Sequence, residues 1–362
     1  MAHGLLYGVS FKNGVLSFTD KQGRSICEAS LVKYLTLTAV EDNSSVALKK
    51  AGTVTNTYEY RKNGGAWTAY ELTTTGTAIP LNTGDRVEWR CTAWNSTFHT
   101  DNFVKFVMTG KISASNPVTS MVSPTLNHTT IENAYACRSM FYGCTALTQA
   151  PELPATTLVD GCYSYMFYGC TSLVQAPALP ATTLAKYCYS IMFEGCTSLT
   201  QAPELPATTL VDFCYYYMFR GCTGLTQAPT LPATTLAKSC YFSMFYGCTS
   251  LVQAPTLPAT TLANSCYCSM FSGCTALTQA PALPATKLAF DCYRIMFRGC
   301  TALNEVRVSA TDISASDCTT DWLKDVSSTG DFWRNPNTSW TSGTSGIPNN
   351  WTRLNIADYP SA

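Results

Sequence analysis

Residues 179–203 read LPATTLAKYCYSIMFEGCTSLTQAP, and the same frame returns 26 residues before and after. The Met-Phe pair marks the period at Met140, Met166, Met192, Met218, Met244, Met270 and Met296. A fixed period of this kind signals a repeat array, in which each unit buries its apolar face against the next. The frame runs without a gap over residues 151–302. A looser first turn begins near Pro124, and an eighth decays where Cys318 and Trp322 fall, as expected of units that close exposed ends.

Stacked at strand spacing, about 4.8 Å, each column of equivalent residues becomes a file. Leu153, Leu158, Met166, Phe167, Leu173 and Ala176 are expected to point inward in one coil, together with their counterparts in the others. Pro151 and Pro154 lack donors and hold their neighbours extended, which keeps strands short. Residues 160–168 read as a short helical turn on the other side of the coil, stopped by Gly169. The expected class is therefore β-rich mixed α/β. Two cysteine files, Cys162, Cys188, Cys214, Cys240 onward and Cys170, Cys196, Cys222, Cys248 with their neighbours, read as ladders of buried free thiols. Parallel side chains at coil spacing do not converge as a disulfide requires.

Other columns vary. Tyr142, Tyr168, Glu194, Arg220, Tyr246, Ser272, Arg298 form one, and Tyr165, Ile191, Tyr217, Ser243, Ser269, Ile295 another. Tyrosine and arginine on a rigid frame give contact area at small entropic cost, so Tyr142, Tyr165, Tyr168, Glu194, Tyr217, Arg220, Tyr246 and Arg298 are the candidate recognition surface. Drift on a solvated face produces the same variation. Asp160, Lys186, Asp212 and Lys238 alternate in sign and read as a register-fixing surface ladder. The files of Gln149, Gln175, Gln201, Gln227, Gln253, Gln279 and of Tyr163, Tyr189, Tyr215, Tyr241, Tyr267, Tyr293 do not vary and read as architecture, with a glycan contact as a second reading of the tyrosines.

The chain of 362 residues exceeds one small domain. With 23 basic and 23 acidic side chains it has no electrostatic surplus for nucleic acid or anionic lipid. No stretch reaches the roughly 18 to 20 apolar residues of a membrane span, and the opening MAHGLLYGVSFKNG does not read as an export signal. Residues 1–33 are expected to form a hairpin attachment arm about Asn13-Gly14. Residues 34–123 read as a β-sandwich with hairpins about Asn63-Gly64-Gly65 and Thr83-Gly84. Residues 124–306 are the repeats, and 307–362, with Trp322, Trp333, Trp340 and Trp351, an end cap. His3, His99 and His128 lie outside the regular array, so no metal site and no cofactor are expected. Glu152 and Glu204 lie two coils apart with Ala178 between them, and no catalytic residue is expected.

The quoted frame resembles the BspA-like leucine-rich repeat, the Bacteroides surface-protein type, with its L-P…L…F-x-x-C-x-x-L wording, over about half of the chain. The phrases YLTLTAVEDNSSVAL and SSTGDFW…GTSGIPNNWT resemble proteins of gut Bacteroidales and of the phages that infect them. The resemblance implies a right-handed leucine-rich-repeat solenoid of about seven coils, which binds proteins or glycans and performs no chemistry. Taken with the opening residues, it implies a phage virion protein made in the host cytoplasm. Its N-terminal region would meet other virion proteins, its repeats would face a host cell-surface glycan or protein, and copies would assemble as a homo-oligomer. A bacterial surface or secreted adhesin and a polysaccharide depolymerase are the alternatives.

Overall fold

The structure, a computed structural model, describes residues 33–95, 98–99, 101–123 and 129–360, and the main chain of three strands before them. Those strands are β1 (Gly8–Lys12), β2 (Val15–Thr19) and β3 (Ser25–Ser30), an antiparallel sheet in which Lys12 pairs with Val15; the expected turn at Asn13-Gly14 lies outside the described residues.

Eight strands follow: β4 (Leu35–Ala39), β5 (Ser44–Ala51), β6 (Thr57–Lys62), β7 (Thr68–Tyr70), β8 (Ile79–Leu81), β9 (Arg86–Ala93), β10 (Phe103–Thr109) and β11 (Ile112–Ser115). Side chains alternate between core and solvent, as in β9, where Val87, Trp89 and Cys91 are buried. The strands form two sheets. One runs β10-β5-β8; the other runs β11-β4-β9-β6-β7 and gains a further strand, β12 (Leu147–Gln149), from the first repeat. Their buried faces meet where Trp89 packs edge-on against Phe106, with ring centroids 5.4 Å apart. The Tyr70 hydroxyl links the sheets, accepting from the Leu48 amide at 3.0 Å and donating to the Thr77 carbonyl at 2.8 Å. The turn at Thr83-Gly84 is present, but it does not close a hairpin: β8 pairs with β5, whereas β9 pairs with β4 and β6. Gly84, at φ 85°, sends its amide to the Ala39 carbonyl, and so directs the chain into the second sheet.

The repeats grow from this region. The Phe106 amide donates to the Met140 carbonyl at 2.8 Å, the Ile112 amide to Ala146 at 3.0 Å, and β11 runs parallel to β12. Phe106 thereby heads the file that continues through Phe141, Phe167, Phe193, Phe219, Phe245, Phe271 and Phe297, with successive rings 5.3 to 5.7 Å apart. Leu153, Leu158, Met166, Phe167 and Leu173 are buried, and Ala176 is partly so.

The expectation of a mixed α/β, helix-bearing leucine-rich-repeat solenoid is corrected. Among the described residues no α-helix forms, and the two short 3-10 turns, Val118–Met121 and Ile356–Asp358, lie outside the repeats. The fold is β-rich with several small sheets, and most coils join through single parallel bridges such as Thr157 to Thr183 and Gln175 to Gln201.

Residues 160–168 are not helical because Gly161, Tyr165 and Gly169 all hold positive φ, of 61°, 58° and 67°. This reversal at every fourth residue splits the amides into two sets. Those of Gly161, Tyr163, Tyr165, Phe167 and Gly169 donate to carbonyls of the next coil, at 2.8 to 3.0 Å, while those of Cys162, Ser164, Met166 and Tyr168 donate three residues back within their own coil. A helix would spend every amide on itself and leave the neighbouring coil unbonded. Gly221 holds the third of these positions in its own coil, at φ 70°. A Cβ there would lie 3.9 Å from Gly195, an ordinary contact, so the cost of a side chain is conformational. Gly221→Ala is expected to lower stability by about 1 to 2 kcal/mol, read from urea unfolding, without changing the circular dichroism of the folded state.

At the far end Trp322 is fully buried. It continues the Tyr293 stack at 6.2 Å, packs on Trp340 at 5.4 Å and donates its indole N–H to the Gly346 carbonyl at 2.9 Å. Three parallel strands, β13 (Glu305–Val308), β14 (Gly330–Arg334) and β15 (Trp351–Asn355), complete this end.

Candidate recognition face

The left-handed positions also decide which side chains leave the coil. In the segment after Asp160, the residues at Gly161, Tyr165 and Gly169 turn the backbone, and the side chains of Tyr165 and Tyr168 emerge partly exposed beside them. Members of four columns, those of Tyr187, Tyr216, Tyr165 and Tyr168, meet on one face: Phe213 lies 5.7 Å from Tyr216, Tyr216 4.2 Å from Tyr217, and the Arg220 guanidinium 5.1 Å from the Tyr217 ring.

Seven of the eight sequence-predicted residues join contact groups there. Tyr142 and Tyr168 stack at 4.6 Å with planes 4° apart, and Tyr165 lies 6.2 Å from Tyr168. Arg220 donates to Glu194 at 2.9 Å, and its guanidinium sits 5.1 Å from the centre of the Tyr217 ring and 5.2 Å from that of Tyr246. The eighth, Arg298, is exposed further along the stack, outside these ring and ion-pair contacts.

The structure adds residues that sequence reasoning missed. Tyr216 lies 4.2 Å from Tyr217 and 5.1 Å from Phe242, and Tyr187 stacks on Phe213 at 4.7 Å. Arg138 sits 4.4 Å from the Tyr165 ring centre and Lys105, from β10, 4.8 Å from that of Tyr142. The signal was present in the column Arg138, Ser164, Ser190, Tyr216, Phe242, Cys268, Arg294, which changes character from coil to coil.

Burial shapes the charges of this face. It raises the Glu194 carboxyl above its ordinary range, against the opposing pull of Arg220, and it lowers the Lys105 ammonium, with Lys49 adding to the effect. Burial also raises the Tyr142 phenol, and the neighbouring Tyr168 adds to it. The face therefore offers ring surfaces, neutral hydroxyls and guanidinium groups held in place by rings, a set suited to non-covalent recognition.

The other files take different places. The Tyr163 file is buried, with Tyr163 and Tyr189 stacked at 5.9 Å, so its second reading as a glycan contact is overturned: the rings face the core. Cys162, Cys188, Cys214, Cys240, Cys170, Cys196, Cys222 and Cys248 are all buried and free. The second cysteine file donates to main-chain carbonyls, as from Cys170 Sγ to Phe141 and from Cys222 Sγ to Phe193, both at 3.1 Å. Burial pushes the Cys196 and Cys240 thiols up to about 12, far from the thiolate that a nucleophile or soft-metal ligand requires. Among the described residues no group of three or more His, Cys, Asp or Glu is placed to hold a metal. The charge ladder works partly through the main chain: Asp160 accepts from the Lys186 amide at 3.1 Å and Asp212 from that of Lys238 at 3.2 Å. Glu152 and Glu204 are exposed and line separate grooves.

Comparison with protein-family models, with curated proteins and with solved structures found no match to this chain. Among the described residues no helix is long and apolar enough to cross a membrane.

Proposed function

We propose that this chain is a non-enzymatic structural and adhesion protein of a phage particle, related to BspA-like repeat proteins. Its N-terminal region joins other virion proteins, its repeats carry the tyrosine-arginine face to a host cell-surface glycan or protein, and copies act together as a homo-oligomer. The observation that carries the binding role is the convergence of variable columns on one face, where Arg220 is held between the Tyr217 and Tyr246 rings and paired with Glu194. The glutamine, Tyr163 and cysteine files repeat unchanged, whereas the columns of this face change from coil to coil. The virion assignment rests on the resemblance of YLTLTAVEDNSSVAL and SSTGDFW…GTSGIPNNWT to proteins of gut Bacteroidales and their phages.

Arg220→Lys keeps the charge next to Glu194 and removes the planar group that spans the two rings. Combined with Tyr217→Ser, it is expected to weaken binding of labelled protein to Bacteroidales host cells by about tenfold or more in flow cytometry, with thermal unfolding changed little. Binding equal to that of the unaltered protein would remove this face as the site.

A further inference from the structure

The chain carries equal numbers of basic and acidic side chains, but it distributes them unevenly. On the larger sheet, the charges that face each other across β6 and β9 are complementary. Glu59 stands opposite Arg90 and Arg61 opposite Glu88, and both couples are ion-paired. On the smaller sheet Lys105 of β10 stands directly opposite Lys49 of β5. Like charges so opposed destabilise an antiparallel pair. The strain shows in the Lys105 ammonium, which burial lowers and Lys49 lowers further.

This lysine pair lies where the first coil meets the sheets. Lys105 Nζ is 4.8 Å from the centre of the Tyr142 ring, Tyr142 stacks on Tyr168 at 4.6 Å, and Tyr168 lies 6.2 Å from Tyr165. At the other end of this run of contacts is Arg138. Its guanidinium is 4.4 Å from the centre of the Tyr165 ring and 5.9 Å from that of Tyr135, and it donates to the Ser164 hydroxyl at 2.9 Å. Gly161 makes room for this arrangement. It holds the position that is Tyr187 or Phe213 in later coils, and a Cβ there would overlap the Tyr135 ring.

Arg138 and Arg220 are both held between two rings, yet they differ in charge balance. Arg220 is paired with Glu194, the residue that follows Tyr168 in its column. Arg138, Lys49 and Lys105 have no ion pair among the described residues. Three partly exposed cations and three partly exposed tyrosines therefore gather at one end of the face without a carboxylate assigned to them. Such a patch is complementary to an anionic partner. An aspartate or glutamate of a peptide presents its carboxylate on a rotatable stem, and immobilising each such side chain costs about 0.5 to 1.5 kcal/mol. A uronic acid carries the carboxylate on the sugar ring itself, beside hydroxyls that can bond to phenols.

We infer that this end of the face is a subsite for a carboxylated polysaccharide, a chain of uronic acids, with Lys49, Lys105 and Arg138 meeting carboxylates and Tyr142, Tyr165 and Tyr168 meeting the sugar rings. The inference rests on the reading of this face as the contact surface and adds the class of ligand. The test uses the full chain with polygalacturonate, with dextran as a neutral polysaccharide and poly-glutamate as an acidic peptide, by calorimetry and affinity electrophoresis. Binding to polygalacturonate is expected, weakening about tenfold or more between about 50 and 500 mM sodium chloride as the charges are screened. No binding to dextran is expected, and binding to poly-glutamate at least about tenfold weaker. Lys49→Gln/Lys105→Gln and, separately, Arg138→Gln are each expected to lose about tenfold or more of the affinity. The lysine variant should unfold at no lower temperature than the unaltered chain, because it removes a repulsion. Lys186→Gln/Lys238→Gln, which removes two cations of the alternating ladder, is expected to bind as before.

No binding to polygalacturonate, equal binding to dextran or poly-glutamate, or an equal loss in the ladder variant would each overturn the inference. Loss of binding together with a lowered unfolding temperature in the lysine variant would overturn it by assigning those lysines to the fold. Flow cytometry with host cells tests the underlying reading separately. Cell binding that survives Lys49→Gln/Lys105→Gln, without binding to polygalacturonate, would keep the contact surface and remove the uronate ligand. Binding to polygalacturonate without binding to cells would support the ligand class and remove the host-cell role.

Discussion

Phe219→Ala is expected to lower the stability of the chain by about 3 to 5 kcal/mol, the range for deleting a buried phenyl group. Phe219 is fully buried and stacked on both sides, 5.6 Å from Phe193 and 5.7 Å from Phe245, with planes 3° and 6° apart. Truncation removes two ring contacts, each worth about 0.5 to 1.5 kcal/mol beyond area burial, and leaves a void that coils fixed by main-chain bonds above and below cannot close. Tyr168→Ala, on the half-exposed face, serves as the comparison and is expected to cost less than half as much. Urea unfolding followed by circular dichroism measures both. A loss at Phe219 no larger than that at Tyr168 would show that the file is not what holds the coils together.

The second large effect is alkaline. Burial, reinforced by neighbouring thiols, raises Cys188, Cys214 and Cys222 well above the ordinary value, and burial raises Cys196, Cys240 and Cys248 to about 12. In the unfolded chain these thiols titrate near pH 8.5. The folded state binds their protons more tightly, so their contribution is fully present below about pH 8.5 and is lost as pH rises toward about 12. Each such thiol removes about 1.4 kcal/mol per pH unit in that interval, and the two files lose it together. The buried Tyr215 and Tyr241 phenols, raised first by burial, act in the same direction at higher pH. Cooperative unfolding well before pH 12 is expected, with thiolate absorbance appearing in step with loss of the dichroism signal. Thiols that ionise near pH 8.5 while the dichroism stays intact would contradict the burial of the files.

The period and most of the interior were legible in the sequence. Met166, Phe167 and Leu173 recur with their neighbours, and columns that do not vary are columns with no choice of environment. The path between them was not legible. Residues 160–168 lack proline and contain one glycine, which suits a helix, yet Tyr165 accepts a left-handed conformation because its amide then bonds to Ser190 in the next coil. A contact made a whole coil away has no trace in local propensity. The same blindness affected the candidate face. Tyr142, Tyr168 and Arg220 stood out by residue type, whereas Tyr216 and Phe242 share a column with the buried Ser164 and Ser190 and became visible only through their partial exposure and ring contacts in the structure.

Phe106 supplies to the first coil the carbonyl and the ring that Phe141 supplies to the second: Cys144 Sγ bonds to the Phe106 carbonyl as Cys170 Sγ bonds to that of Phe141. Each junction therefore presents the same fittings as the one before it. A whole unit can be added or removed while both ends stay mated to compatible partners. The reach of such a molecule is then heritable in increments of one layer, about 4.8 Å. Lineages can lengthen or shorten it without redesigning either terminus.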